Sequence, residues 1–285
     1  MKILILGVTG MLGNAVFRVF CADKTHEVWG TLRNSTALHY FPDSSHARLL
    51  AGVDVLDTDT LVTVLTKLRP EVVINCVGSI KQLADAKDPL TALPINAMLP
   101  HRLARLCALL GSRLIHVSTD CVFSGRKGEY LESDASDAED LYGKSKYIGE
   151  LHDQPGAITL RTSIIGHELS SNHALVDWFL AQQGSVKGFG KAIFSGLPTV
   201  ELARVMKDFV VPHSELNGLY HVAAEPIAKL DLLRLVAAQY GKKIEIVQDD
   251  ALVIDRSLNG SRFSTATGYV PPTWPTLIQK MHEER

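Results

Sequence analysis

Hydrophobic positions along the chain alternate between short unbroken runs and longer stretches with helical spacing. Lys2-Ile3-Leu4-Ile5-Leu6 opens the chain as a continuous branched run. That is the pattern of a strand buried on both faces of a parallel sheet. Similar runs at 27–31, 49–53, 72–74, 113–117, 157–160 and 218–222 predict further strands. Between them apolar residues recur every three or four positions, as in Leu12, Val16, Val19 and Phe20, or Leu99, Leu103, Leu106, Leu109 and Leu110. These spacings predict helices after the first strand, over 58–68 (stopped by Pro70), over 89–110 and over 199–211. Strands alternating with helices predict an α/β fold built on a doubly wound parallel sheet.

The rhythm changes after residue 166. Residues 167–200 hold one amphipathic helix near 175–180 and a glycine-spaced stretch, 184–196. Residues 225–285 read as a compact α/β tail with a helix over 228–240 and a short strand over 244–247. Arg256, Asn259, Ser261 and Arg262 then lie in a polar loop before Trp274. We divide the chain into a dinucleotide-binding domain, 1–165, with 197–222 packing back onto it, and a smaller C-terminal α/β substrate-binding lobe, 166–196 and 223–285. No Pro/Ser-rich linker separates them.

Composition narrows the class of function. The 285 residues are 46% hydrophobic and 21% charged with a net charge of −2. That balance points to neither a nucleic acid nor an anionic membrane as partner. The four cysteines, Cys21, Cys76, Cys107 and Cys121, form no C-x-x-C and sit at no metal-ligand spacing. They lie in apolar stretches, so buried reduced thiols, no metal and a cytoplasmic setting are expected. The apolar start is too short for a signal segment, and no run reaches the ~18 residues of a membrane span.

Candidate chemistry begins directly after the first strand. Gly7-Val8-Thr9-Gly10-Met11-Leu12-Gly13 places G-x-x-G-x-x-G between a strand and a helix. Gly7 permits the tight turn, Gly10 lets the backbone approach a pyrophosphate, and Gly13 lets helix and strand pack closely. The helix N-terminus adds amide donors and partial positive charge. The second strand ends Thr31-Leu32-Arg33-Asn34, without the acid that would hold both ribose hydroxyls of NAD. Arg33 can pair with a 2′-phosphate instead, so NADPH is the expected cofactor, with NADH the alternative. Asp54-Val55 follows the third strand, where an acid can meet the adenine amino group, and Cys76-Val77-Gly78 follows the fourth, where small residues allow close backbone approach. Lys81, in the next loop, is a candidate phosphate or sugar contact.

Two segments then bring reactive groups to the ligand end of the sheet. The fifth strand ends in Ser118-Thr119-Asp120-Cys121, polar groups directly after an apolar run. Tyr142 and Lys146 stand four residues apart on the next helix and share one face. An ammonium beside a phenol favours the phenolate and lowers its pKa, making an acid or base usable near neutral pH.

With these residues in order, the chain resembles the extended short-chain dehydrogenase/reductases, and within them the dTDP-4-dehydrorhamnose reductase family of nucleotide-sugar reductases. The resemblance runs nearly end to end: Gly7 to Gly13, Ser118 to Gly125, Tyr142 to Glu150, Leu160 to Ser163, Gly196 to Thr199, and Arg256 to Phe263 before Pro272-Thr273-Trp274. It implies a Rossmann-type fold and NADPH-dependent reduction of the C4 keto group of a nucleoside-diphosphate 4-keto-6-deoxyhexose, serving deoxysugar and polysaccharide synthesis. It implies Tyr142 as proton donor, Lys146 as the group that lowers its pKa and holds the nicotinamide ribose, and Thr119 as a hydrogen bond to the substrate oxygen. It also implies Asp120, Cys121, Ser163, Pro198 and Arg256 as substrate contacts and a nucleotide sugar, with at most a second copy of the chain, as partner.

Cys121 stands where the family often has an aromatic residue, and Gly78-Ser79-Ile80-Lys81-Gln82 departs from the usual loop, so the sugar and base stay open. A 4,6-dehydratase would want a glutamate where Cys121 stands. A nucleotide-sugar epimerase uses the same Tyr/Lys chemistry with retained NAD. A related protein serves as the regulatory subunit of methionine adenosyltransferase and binds NADP without catalysis; the intact Thr119, Tyr142 and Lys146 favour an enzyme.

Overall fold

The computed structural model of the protein describes residues 1–79 and 87–285. Seven strands form one parallel sheet: β1 (Lys2–Leu6), β2 (Glu27–Leu32), β3 (Leu49–Ala51), β4 (Val72–Asn75), β5 (Arg113–Thr119), β6 (Ala157–Thr162) and β7 (Gly218–His221). Their spatial order is β7-β6-β5-β4-β1-β2-β3. The order reverses between β1 and β4, which opens a crevice beyond their C-terminal ends. The first helix, α1 (Met11–Ala22), α2 (Thr58–Leu68), α3 (Leu99–Leu110) and α4 (Leu141–Ile148) follow strands β1, β3, β4 and β5.

The continuous apolar runs are used on both faces. Ile3 and Ile5 join a core with Val16, Phe17 and Phe20 of α1. Their neighbours Leu4 and Leu6 join the opposite core with Leu61, Leu65 and Leu68 of α2 and Leu99 and Leu103 of α3. The period-2 geometry of a strand sends alternate residues to opposite layers, and each buried aliphatic side chain contributes about 1.5–3 kcal/mol.

Several elements differ from the sequence reading. The helix expected over 89–110 is a short helix (Pro89–Ala92), a π-helical turn (Leu93–Met98) and then α3. Pro94 and Pro100 carry no N–H to donate back along the helix, so the ladder shifts register there. The helix expected over 199–211 likewise passes from α (Thr199–Val205) to π (Met206–Val210). The glycine-spaced stretch is two strands, Ser185–Phe189 and Ala192–Phe194. Ser261 and Arg262 open a helix (Ser261–Thr267) instead of lying in a loop. Of the four cysteines only Cys107 is buried; Cys21, Cys76 and Cys121 are half-buried, and all are free.

The remaining elements form small sheets beside the large one. Ser185–Phe189 pairs with Glu245–Asp249, and Ala192–Phe194 lies between Ile227–Ala228 and Ile254–Asp255. Leu197–Pro198 returns to pair with Ile164–Ile165, just past β6. The acidic segment 129–140 has no helix or strand but is tied to the tail by Tyr130 N donating to Ser257 O at 2.9 Å. Among the described residues no helix is long and apolar enough to cross a membrane.

Candidate active site

The glycine turn is built as its spacing predicts, with one distinction the spacing does not carry. Gly7 has φ +83°, and a Cβ there would lie 2.8 Å from the Val77 side chain. Its N–H donates to Thr31 Oγ1 at 3.2 Å, which fixes the turn to β2. A Cβ on Gly13 would fall 2.1 Å from the Gly7 carbonyl oxygen, so this glycine is demanded by the helix–strand contact itself. Gly10 is different: a Cβ there meets only Gly7 O, at 3.5 Å. The protein leaves that space open, and helix α1 begins at Gly10 with no side-chain cap and no acid in its first turn. Open backbone beside uncapped amides is the cradle that a pyrophosphate fits. Thr9 and Gly10 are exposed and Met11 is half-buried at this rim, whereas Leu12 and Gly13 belong to the packed interior.

Around that turn stand the other cofactor candidates. Arg33 is exposed directly after β2. Asp54 is exposed past β3 and its carboxylate accepts from Leu56 N at 2.9 Å, with half-buried Val55 beside it. Beyond β4, Asn75 Oδ1 accepts from Val77 N at 3.1 Å. Cys76 is held protonated, its pKa raised to about 12 by burial. Gly78 is exposed. Lys81 lies outside the described residues.

Two strands away, β5 ends at Thr119. Its hydroxyl accepts from Cys121 N at 3.1 Å, donates to Asp120 Oδ1 at 3.2 Å and reaches the Tyr142 phenol. Asp140 caps α4 by accepting from Gly143 N at 2.8 Å. A Cβ on Gly143 would lie 2.2 Å from the Cys121 carbonyl oxygen. The glycine inside Tyr142-Gly143-Lys144 thus lets α4 press against the segment that carries Thr119 and Asp120. Buried Asn96, on the π-helical turn, braces the other side of α4: Nδ2 donates to Ser145 Oγ at 3.2 Å and Oδ1 accepts from Ser79 N at 2.9 Å.

The electrostatics depart from the expectation for the Tyr/Lys pair. Lys146 is buried, and its Nζ donates to the Val117 carbonyl at 2.7 Å. Burial lowers its pKa to about 8, against a smaller opposing pull from Glu150. Tyr142 moves upward: burial dominates, the neighbouring Cys121 adds to it, and the Thr119 hydrogen bond only partly offsets both. The Lys146 charge is turned toward the strand backbone, and burial sets the direction at the phenol.

On the outer side, Asp120 is buried and pushed upward by desolvation, opposed chiefly by Arg256. Arg256 comes from the tail: its Nε donates to Phe123 O at 2.8 Å and its Nη1 lies 3.8 Å from Cys121 Sγ. Burial raises the Cys121 thiol to about 12. Lys229, which the sequence reading did not select, also acts on Asp120. It starts a tail helix, and no local pattern links it to residue 120. Ser163 accepts through its carbonyl from Leu197 N at 2.9 Å, and Pro198 is buried in the same junction. Thr119, Asp120, Cys121, Tyr142 and Arg256 are thus brought together, while Pro198 serves packing. Among the described residues no cluster of acids, histidines and cysteines could hold a metal.

The sequence model described as RmlD substrate binding domain matches residues 1–284. The chain is 28% identical over 248 residues to methionine adenosyltransferase 2 subunit beta of Danio rerio, covering 83% of this chain and 73% of that protein. The bovine form is matched over about half its length, 48%. It is 27% identical over 234 residues to dTDP-4-dehydrorhamnose reductase of Aggregatibacter actinomycetemcomitans, covering 79% of this chain and 74% of that one. In fold it is similar to a dTDP-4-dehydrorhamnose reductase from Bacillus anthracis solved in complex with NADP, with TM-score 0.80, 20% identity and 99% of each chain covered.

Proposed function

Because the chain belongs to the RmlD substrate binding domain family, we propose that it is an NADPH-dependent reductase of the C4 ketone of a nucleoside-diphosphate 4-keto-6-deoxyhexose. The observation that carries this reading is the half-buried Tyr142 phenol in hydrogen-bond reach of Thr119, two strands from a glycine cradle that the fold leaves open. The NADP complex of the Bacillus anthracis relative supports the cofactor assignment.

Gly7, Thr9, Gly10 and Met11 would hold the pyrophosphate, Arg33 the 2′-phosphate, Asp54 and Val55 the adenine, and Cys76, Val77 and Gly78 the ribose side. When bound, NADPH supplies hydride. The protein's part is position and proton: Thr119 donates a hydrogen bond to the sugar carbonyl oxygen, and Tyr142 delivers the proton that this oxygen takes up. Lys146, charged below about pH 8, holds the nicotinamide ribose hydroxyls. Residues 166–196 and 223–285 supply the sugar-nucleotide lobe, and Arg256 and Lys229 favour its diphosphate.

The similarity to methionine adenosyltransferase 2 subunit beta supports a second reading, a non-catalytic dinucleotide-binding regulatory subunit. A panel of dTDP-, UDP- and GDP-linked 4-keto-6-deoxysugars with NADPH separates the two. Oxidation of NADPH by one of them is expected; tight NADPH binding without turnover of any would sink the reductase reading in favour of the regulatory one.

A further inference from the structure

Segment 118–123 carries Thr119, Asp120 and Cys121, and both of its ends touch one buried ion pair. Glu150, two residues past α4, accepts from Ser118 Oγ at 2.7 Å through Oε1. The same oxygen accepts from Arg161 Nε at 2.8 Å, and Oε2 accepts from Arg161 Nη2 at 2.5 Å. Ser118 lies between Val117, whose carbonyl holds Lys146, and Thr119. At the other end, the Arg161 guanidinium covers the Phe123 ring at 4.9 Å from its centroid, and Phe123 stacks on Tyr130 at 4.0 Å. Arg161 Nη1 meets His221 Nε2 at 2.8 Å, and His221 Nδ1 meets Tyr130 O at 3.0 Å. Arginine and a carbonyl fix the imidazole tautomer: Nε2 accepts and Nδ1 donates.

We propose that the Glu150–Arg161 pair positions segment 118–123 by holding both of its ends, an inference that rests on the reductase reading of the site. A buried ion pair is a poor source of stability, because desolvating two charges offsets most of their attraction. Its geometric use here is specific. Bidentate Arg161 fixes the carboxylate, and the carboxylate in turn fixes the strand end from which Thr119 and the Val117 carbonyl project. Glu150 also supplies the negative charge that opposes the desolvation of Lys146. The charged and titratable groups facing these residues are His116 of β5 for Lys146, and Arg161 of β6, His152 and, beyond Arg161, His221 of β7 for Glu150.

The test uses the full chain with Ser118→Ala, which frees one end and keeps the ion pair; Glu150→Gln; and Glu150→Met combined with Arg161→Met, which replaces the pair by apolar bulk should the single charge loss prevent folding. Each is assayed at a temperature where circular dichroism shows it folded. Ser118→Ala is expected to lower kcat by roughly 10-fold with KM for NADPH moved by less than about 2-fold, and Glu150→Gln to lower kcat by up to ~10²-fold. The second readout is independent of turnover: amide hydrogen exchange across residues 118–123, followed by mass spectrometry. Exchange there should quicken in Ser118→Ala and in Glu150→Gln relative to the unmodified protein. Unchanged exchange across 118–123 in these two folded variants overturns the proposal. Faster exchange there in a protein that reduces no sugar keeps the positioning role and overturns the reductase reading alone.

Discussion

Lys146 Nζ donates to the Val117 carbonyl oxygen at 2.7 Å, so the ammonium is tied to strand β5 and not to the Tyr142 phenol. The two residues share a helix, yet Tyr142 is governed by burial and by the Thr119 hydroxyl. A proton donor so arranged stays protonated at neutral pH until a substrate oxygen accepts from it.

Tyr142→Phe removes only the hydroxyl and keeps the ring that α4 packs. Reduction of the responsive sugar should fall by ~10²–10⁴-fold. NADPH affinity, followed by fluorescence titration, should stay near that of the unmodified protein. Loss of both together would mean that the ring also shapes the cofactor site.

Gly10 and Gly13 separate ligand demands from packing demands. Gly13→Ala forces a Cβ to within 2.1 Å of the Gly7 carbonyl and should cost about 1–3 kcal/mol, seen as a lower Tm. Gly10→Ala meets nothing closer than 3.5 Å and should leave Tm nearly unchanged while NADPH binding is lost. Paired melting curves and titrations of the two variants decide it.

Replacing Arg33 with aspartate should reverse the dinucleotide preference. The guanidinium that pairs with a 2′-phosphate is exchanged for a carboxylate that repels it and can bond the ribose diol. Losing a charged hydrogen bond of about 1.5–3 kcal/mol predicts a roughly 10- to 100-fold weaker NADPH affinity. Competition of NADH against NADPH in the Arg33→Asp variant measures this.

The pH dependence has two signs. The folded pKa of Lys146 is lowered to about 8 from its ordinary 10.5, so the ammonium is present below pH 8 and is lost as pH rises through it. NADPH affinity that depends on this charge should fall above that pH. His221 is lowered to about 3 from 6.5, by burial first and Arg161 second. Below pH 6.5 the unfolded imidazole takes up a proton that the folded one refuses, so stability is lost as pH falls from 6.5 toward 3. The slope from one such group is at most about 1.4 kcal/mol per pH unit. His221→Gln should flatten the acid limb of Tm against pH.

Much of this protein is legible in the linear pattern, because the determinants are local. Unbroken apolar runs announced the two-faced parallel strands, and Gly7, Gly10 and Gly13 the turn, since backbone freedom and close approach depend on what is absent at each position. Tyr142 and Lys146 share a face by helical spacing alone. The tertiary structure decided what depends on distant partners. Burial sets the direction at the Tyr142 phenol, and desolvation is a property of the whole fold. Arg256 and Lys229 reach Asp120 from a tail more than a hundred residues away. Glu150 and Arg161 are only a motif ending and a strand residue until β5, β6 and β7 lie side by side and make them one ion pair.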